Sequence, residues 1–202
     1  MDLTIVGLTF AAIFLVELPD KTFIATLVLS TRFRGLLVWI GVGLAFAVQT
    51  TIAVLLGSAA ALLPTTWVRL AAATLFLAGA VLLFREARGA DAHEADTEAE
   101  FAGKASARGG AHGLRAVGAS FLVLFAAEWG DLSQLLTLSL VAKYSDPASV
   151  FVGALAALLA VSGLAVVVGR VLLRRVRLRT LHLLGAGVCL LLFAITVYEL
   201  VS

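Results

Sequence analysis

The chain has 202 residues, of which 61% are hydrophobic and only 14% charged, with a formal net charge of +2. A soluble domain is about 45–50% apolar and about 25% charged, so a mean hydropathy of +1.07 excludes that class and marks an integral membrane protein. The small net charge gives no basis for nucleic-acid binding, and the lone cysteine, Cys189, leaves neither a disulfide framework nor a Cys/His zinc pattern.

About 20 mostly apolar residues cross a bilayer as a helix. The first such run, Leu3–Ser30, lacks a basic leader and contains Glu17 and Asp20, so it reads as a retained membrane segment rather than a cleaved signal peptide. Pro19 lies between these acids; it removes a backbone donor and disfavours helical angles at Leu18, which predicts a kink there. After Arg32–Gly35 comes Leu36–Leu63, which carries Gln49, Thr50 and Thr51 within its apolar length. Gln49 is expected to make a helix–helix hydrogen bond. Pro64–Thr66 then separates this run from Trp67–Phe84, and Trp67 suits an interfacial aromatic belt.

Residues 85–113 change character: Ala, Gly, Asp, Glu and Arg dominate, and Phe101 is the exception among small or polar side chains. Such a composition reads as a flexible, solvated linker, although Asp91, His93, Glu94, Asp96, Glu98, Glu100 and His112 would also permit a metal-gathering arm. Three further apolar runs follow, Leu114–Ala142, Ala148–Leu173 and Leu181–Val201, the first two parted by Ser145-Asp146-Pro147. Lipid cannot satisfy an unpaired backbone, so all six runs are predicted to be helices. The predicted units are residues 1–84, the linker 85–113, and residues 114–202.

Basic residues set the orientation. Twelve of the fifteen lie in the loops after spans one, three and five, against Arg69 and Lys143 on the other side. Both termini are therefore expected outside and the linker in the cytoplasm. The run Arg170–Arg179 fits this orientation and lipid headgroups, and His182 beyond it is expected to bind nothing.

A shift of 111 residues carries Glu17 onto Glu128, Asp20 onto Asp131, Thr22 onto Ser133 and Arg32 onto Lys143. Each half then has three spans, an odd number, so the halves are expected in opposite orientations. The resulting fold class is an all-α integral membrane protein with six transmembrane helices in two inverted three-helix repeats.

Acidic side chains at bilayer depth cost about 2.5–3.5 kcal/mol each on insertion scales, yet this chain carries four. Glu17 and Asp20 are three apart and share a helix face, as do Glu128 and Asp131. With the hydroxyls of Thr22 and Ser133 and the amide of Gln134, they form two half-sites of oxygen donors suited to a hard divalent cation. Gly130 permits a bend where the first motif has Pro19, and Trp129 is expected to wall the site. Lys21, matched by Leu132, is placed either to pair with Glu17 or Asp20 or to snorkel to the interface. Four carboxylates and one ammonium leave −3; a divalent ion and one proton would neutralise it, which suggests exchange of ion for proton.

The motifs Glu17-Leu-Pro-Asp-Lys-Thr22 and Glu128-Trp-Gly-Asp-Leu-Ser-Gln134 resemble the paired signatures of the transmembrane protein 165 family, and the resemblance covers the whole chain. It departs at Pro19, where the family has glycine, and at Leu132, often basic. By that resemblance Glu17, Asp20, Glu128 and Asp131 would carry the cation, helped by Thr22, Ser133 and Gln134. It implies a secondary transporter of manganese first and calcium second, with protons as counter-ion and no resident cofactor. It also implies a bacterial plasma membrane; oligomeric state is open, a homodimer included. An exporter of a small organic solute, such as an amino acid, is the alternative. An enzyme is not expected, since no spaced His or Cys set would activate a nucleophile or water.

Overall fold

The computed structural model describes residues 1–18, 20–107, 113–175 and 178–201. Eight helices occupy them: α1 (Leu3–Glu17), α2 (Lys21–Arg32), α3 (Gly35–Ala60), α4 (Thr65–Ala107), α5 (Leu114–Ala127), α6 (Leu132–Tyr144), α7 (Pro147–Arg175) and α8 (Leu178–Val201). No strand is present among the described residues. Four helical stretches are each long and apolar enough to cross a membrane: Gly35–Ala60, Thr66–Arg88, Pro147–Val167 and His182–Val201.

The predicted first and fourth spans are each divided. α1 and α2 meet at 70° and α5 and α6 at 73°, so the count is six only if each bent pair is one span. Leu18 keeps helical angles (φ −58°, ψ −39°) and donates to the Phe14 carbonyl, so the predicted kink falls after it rather than on it. The chain is extended at Asp20 (ψ 166°), where α2 begins. Pro19 itself lies outside the described residues. In the second break Gly130 has φ +77°, a left-handed conformation that costs an L side chain roughly 1–2 kcal/mol, and Asp131 repeats the extended angle of Asp20 (ψ 166°).

Packing interleaves the two parts of the chain. α1 lies on α7, α3 on α5 and α6, and α4 on α8. Glycines set the closest approaches: a Cβ on Gly153 would stand 2.6 Å from the Val6 carbonyl and 2.9 Å from Thr9, and one on Gly41 would meet the Val117 carbonyl and stand 3.0 Å from Ser120. The same 111-residue shift carries Val6 to Val117 and Thr9 to Ser120. It also carries the stacked pair Phe10–Phe14 (5.5 Å) onto Phe121–Phe125 (5.4 Å). Small residues at such crossings let helices pack by van der Waals contact where no hydrophobic drive exists between them. Leu55, Leu56, Leu190 and Leu191 are exposed, as helices bathed in lipid require. Lys143 ties α6 to α8 through Glu199 (3.3 Å) and Thr196 (3.3 Å).

The largest departure from the sequence reading is the predicted flexible linker. Residues 85–107 continue α4 as helix, and Thr97, Phe101 and Ala105, spaced by four along one face, are buried. Phe101 and Ala105 join the main apolar core. Ala, Glu and Arg, which suggested disorder because they bury little apolar surface, are also strong helix formers, and Glu100 pairs with Lys104 one turn on. Residues 108–112, including His112, lie outside the described residues. Asp96, Glu98 and Glu100 are exposed on this helix.

Candidate metal centre

The two breaks bring all four acids to one place. Glu17, Asp20, Glu128 and Asp131 each offer a carboxylate oxygen, and these four oxygens lie within 4.8 Å of one another. The helix ends explain the arrangement. Glu17 closes α1 and Glu128 caps the C-terminus of α5, while Asp20 and Asp131 sit at the N-caps of α2 and α6. Helix N-termini present free N–H groups and positive dipole ends, so a negative side chain is favoured there. Asp20 accepts from the Lys21 backbone N–H at 2.7 Å. Asp131 makes no such cap bond; its Oδ1 accepts from the Lys21 ammonium at 2.9 Å.

Burial is the feature that demands an explanation. Glu17 is 0% exposed and Glu128 2%. Neither carboxylate has a hydrogen-bond partner for either oxygen among the described residues, and Asp131 Oδ2 is likewise unpartnered. Burying ionised carboxylates without partners is strongly unfavourable. Protons would relieve such charges, and four converging oxygens of this type are also a donor set that a divalent cation could take. The hydroxyls of Thr22 and Thr26 are also buried without partners, and Ser133 is buried beside Glu128, where it lines a cavity of about 10 Å³ with Gln49, Thr50 and Thr137.

The structure distributes the predicted residues unevenly. Thr22 and Ser133 lie within the buried region of the breaks. Gln134 braces the second break instead of presenting a free oxygen: its Oε1 accepts from the Gly130 N–H (3.2 Å) and its Nε2 donates to the Glu128 carbonyl (3.0 Å). Trp129, predicted to wall the site, is 63% exposed and packs on Phe125 at 5.2 Å. Gln49 donates to the Phe125 carbonyl at 3.0 Å, the expected helix–helix bond. His182, predicted to bind nothing, is buried 3.6 Å from Glu86. Lys21 pairs with neither Glu17 nor Asp20 but with Asp131, the aspartate of the other motif. Thr26 and Thr137 were not singled out, although each follows its motif hydroxyl by one turn and the 111-residue shift relates them.

Comparison with known proteins agrees with this chemistry. A family model described as divalent cation/proton antiporter GDT1 matches residues 5–91 and 116–201. A GDT1-like protein of Synechocystis sp. is 34% identical over 185 residues, covering 89% of each chain. The chloroplastic GDT1-like protein 1 of Oryza sativa subsp. indica is 31% identical over 96% of this chain and 61% of its own length. Protein PAM71, chloroplastic, of Arabidopsis thaliana is 30% identical over 96% of this chain and 56% of its own. This chain thus spans about three fifths of those plant relatives. No solved structure matches it.

Proposed function

The chain belongs to the GDT1 family of divalent cation/proton antiporters, and from that premise we propose that it exports manganese, or secondarily calcium, from the cytoplasm in exchange for protons. The observation that carries this reading is the convergence of four carboxylate oxygens from two helix breaks within 4.8 Å, two of the acids being sealed from solvent. Glu17, Asp20, Glu128 and Asp131 hold the ion, with Thr22 and Ser133 adding hydroxyl oxygens. Proton and ion compete for the same oxygens, so each displaces the other. A cavity of about 10 Å³ lined by Glu128, Ser133 and Thr137, about one water-sized sphere, adjoins one edge of this set of acids.

Alternating access follows from the repeat. The halves are read as inverted three-helix units that rock about the shared site. Their paired crossings, Gly41 on α5 and Gly153 on α1, support a pseudo-two-fold relation. Positive-inside counting supports outward termini and a cytoplasmic segment 85–113, and similarity to a cyanobacterial protein supports a bacterial plasma membrane.

The deciding experiment is manganese flux into proteoliposomes carrying an internal pH dye, with calcium and magnesium as competitors. Manganese uptake with a matching proton signal is expected. Flux without proton movement would remove the exchange, and absence of any metal flux from folded protein would overturn the assignment.

A further inference from the structure

Lys21 occupies a position the transported ion would need. Its ammonium lies 2.9 Å from Asp131 Oδ1, and Asp131 is one of the four converging acids. It belongs to α2, whereas Asp131 caps α6, so the bond joins the two breaks. Its counterpart by the 111-residue shift, Leu132, packs where a Cβ on Gly79 would stand 2.9 Å away, so among the described residues a near-symmetric set of acids meets one tethered cation from one motif only. The pair also sits at the open edge of the site. Lys21 and Asp131 side chains are 33% and 15% exposed, while Glu17 and Glu128 are sealed at 0% and 2%. Glu100 of α4 is already bonded to Lys104, which holds its carboxyl below the usual carboxylate range, with a smaller contribution from the charge of Lys21. A displaced ammonium on a flexible four-carbon stem can therefore swing out through this open edge.

We propose that Lys21 is a built-in competing cation: it yields Asp131 to the arriving divalent ion and reclaims Asp131 to expel it. Lys21 stays charged throughout; it only changes partner. The ammonium keeps the emptied site from carrying its full negative charge in a low-dielectric setting, where unpaired charge is costly. It also prevents the site from holding the ion too tightly to release.

The inference rests on the four-carboxylate reading, and the experiment separates the two. Manganese binding to purified wild type, Lys21→Leu and Lys21→Arg is measured by titration calorimetry, beside net manganese/proton flux and manganese/manganese tracer exchange in proteoliposomes. Lys21→Leu is expected to tighten the apparent Kd on the order of tenfold, equivalent to about 1.4 kcal/mol. It should lower both KM and kcat of net transport, with tracer exchange retained and Lys21→Arg close to wild type. Equal or weaker binding by Lys21→Leu would overturn the inference and leave Lys21 as a structural brace. Lys21→Gln, which keeps a polar group at the opening, serves if Lys21→Leu fails to fold, and the same tightening is required of it. Wild type that binds no manganese would overturn the cation reading itself, and this inference with it.

Discussion

Glu17 and Glu128 sit where water does not reach, with no hydrogen-bond partner among the described residues, and this strain predicts opposed effects on stability and activity. Glu17→Gln removes one of four crowded charges at constant shape. It should raise Tm by a few degrees, since about 1 kcal/mol moves Tm by ~2–4 °C in a chain of this size, while abolishing manganese flux. A thermal melt beside a flux assay checks both, and loss of Tm with retained flux would contradict the site. Manganese should raise the Tm of wild type and not of the variant. The pH dependence has one sign: the ion needs deprotonated carboxylates. Binding therefore weakens as pH falls, by about tenfold in Kd per unit for each proton displaced, which calorimetry across pH 5.5–8 would read. The acids and their spacing were legible in the sequence because charge in an apolar run is a local anomaly. Thr26 and Thr137 were not, because a threonine in a membrane helix has an ordinary use, donating to the carbonyl one turn back, as Thr137 does to Ser133 at 2.7 Å.

Two devices act at the level of the element: the breaks and the glycine crossings. Gly130 holds φ +77°, so Gly130→Ala should cost about 1–2 kcal/mol and misplace Asp131, lowering flux. Gly118→Ala, inside α5 with open space around its Cβ, should be neutral or stabilising by about 0.5–1 kcal/mol. Equal effects in the two variants would remove the break from the mechanism. Glycine and proline announced that the helices bend; the angle of about 70° did not follow from them, because it depends on what each half-helix packs against. The C-terminal part of α4 is the instructive failure. Its composition resembles a solvated linker, but Thr97, Phe101 and Ala105 make a stripe that neighbouring helices cover. Amide hydrogen exchange at residues 97–105 should therefore be slow, and coil-like rates would refute the packed helix.

For the whole molecule, two parts of the chain embrace through equivalent crossings, Gly153 against Val6 and Thr9, Gly41 against Val117 and Ser120. A rocking mechanism requires these contacts to persist as a pair, and an added side chain at either should strain the assembly by about 1–3 kcal/mol. Gly41→Val and Gly153→Val are each expected to lower Tm and flux to a similar extent; a large effect at only one would argue against a two-fold mechanism. Orientation is checked by single-cysteine labelling in cells, where the native Cys189 is buried. Leu62→Cys, at an exposed loop, should react with an impermeant thiol reagent from outside, and Gly103→Cys should react only after permeabilisation. The reverse pattern would invert the assigned direction.

Composition alone determined that the chain lives in a membrane, and spacing determined that its acids come as two copies of one motif. These are local properties, since transfer cost and motif spacing depend on a residue and its near neighbours in sequence. The helix face expected to be shared by Glu17 and Asp20, and by Glu128 and Asp131, does not form, because each pair straddles a break between two helices. Tertiary structure decided that the copies converge within 4.8 Å, that Lys21 crosses to Asp131, and that α4 continues through Ala107. Each of these depends on helices remote in sequence packing at particular angles, and side-chain contacts across such crossings are set by shape and distance in space, which no local propensity encodes.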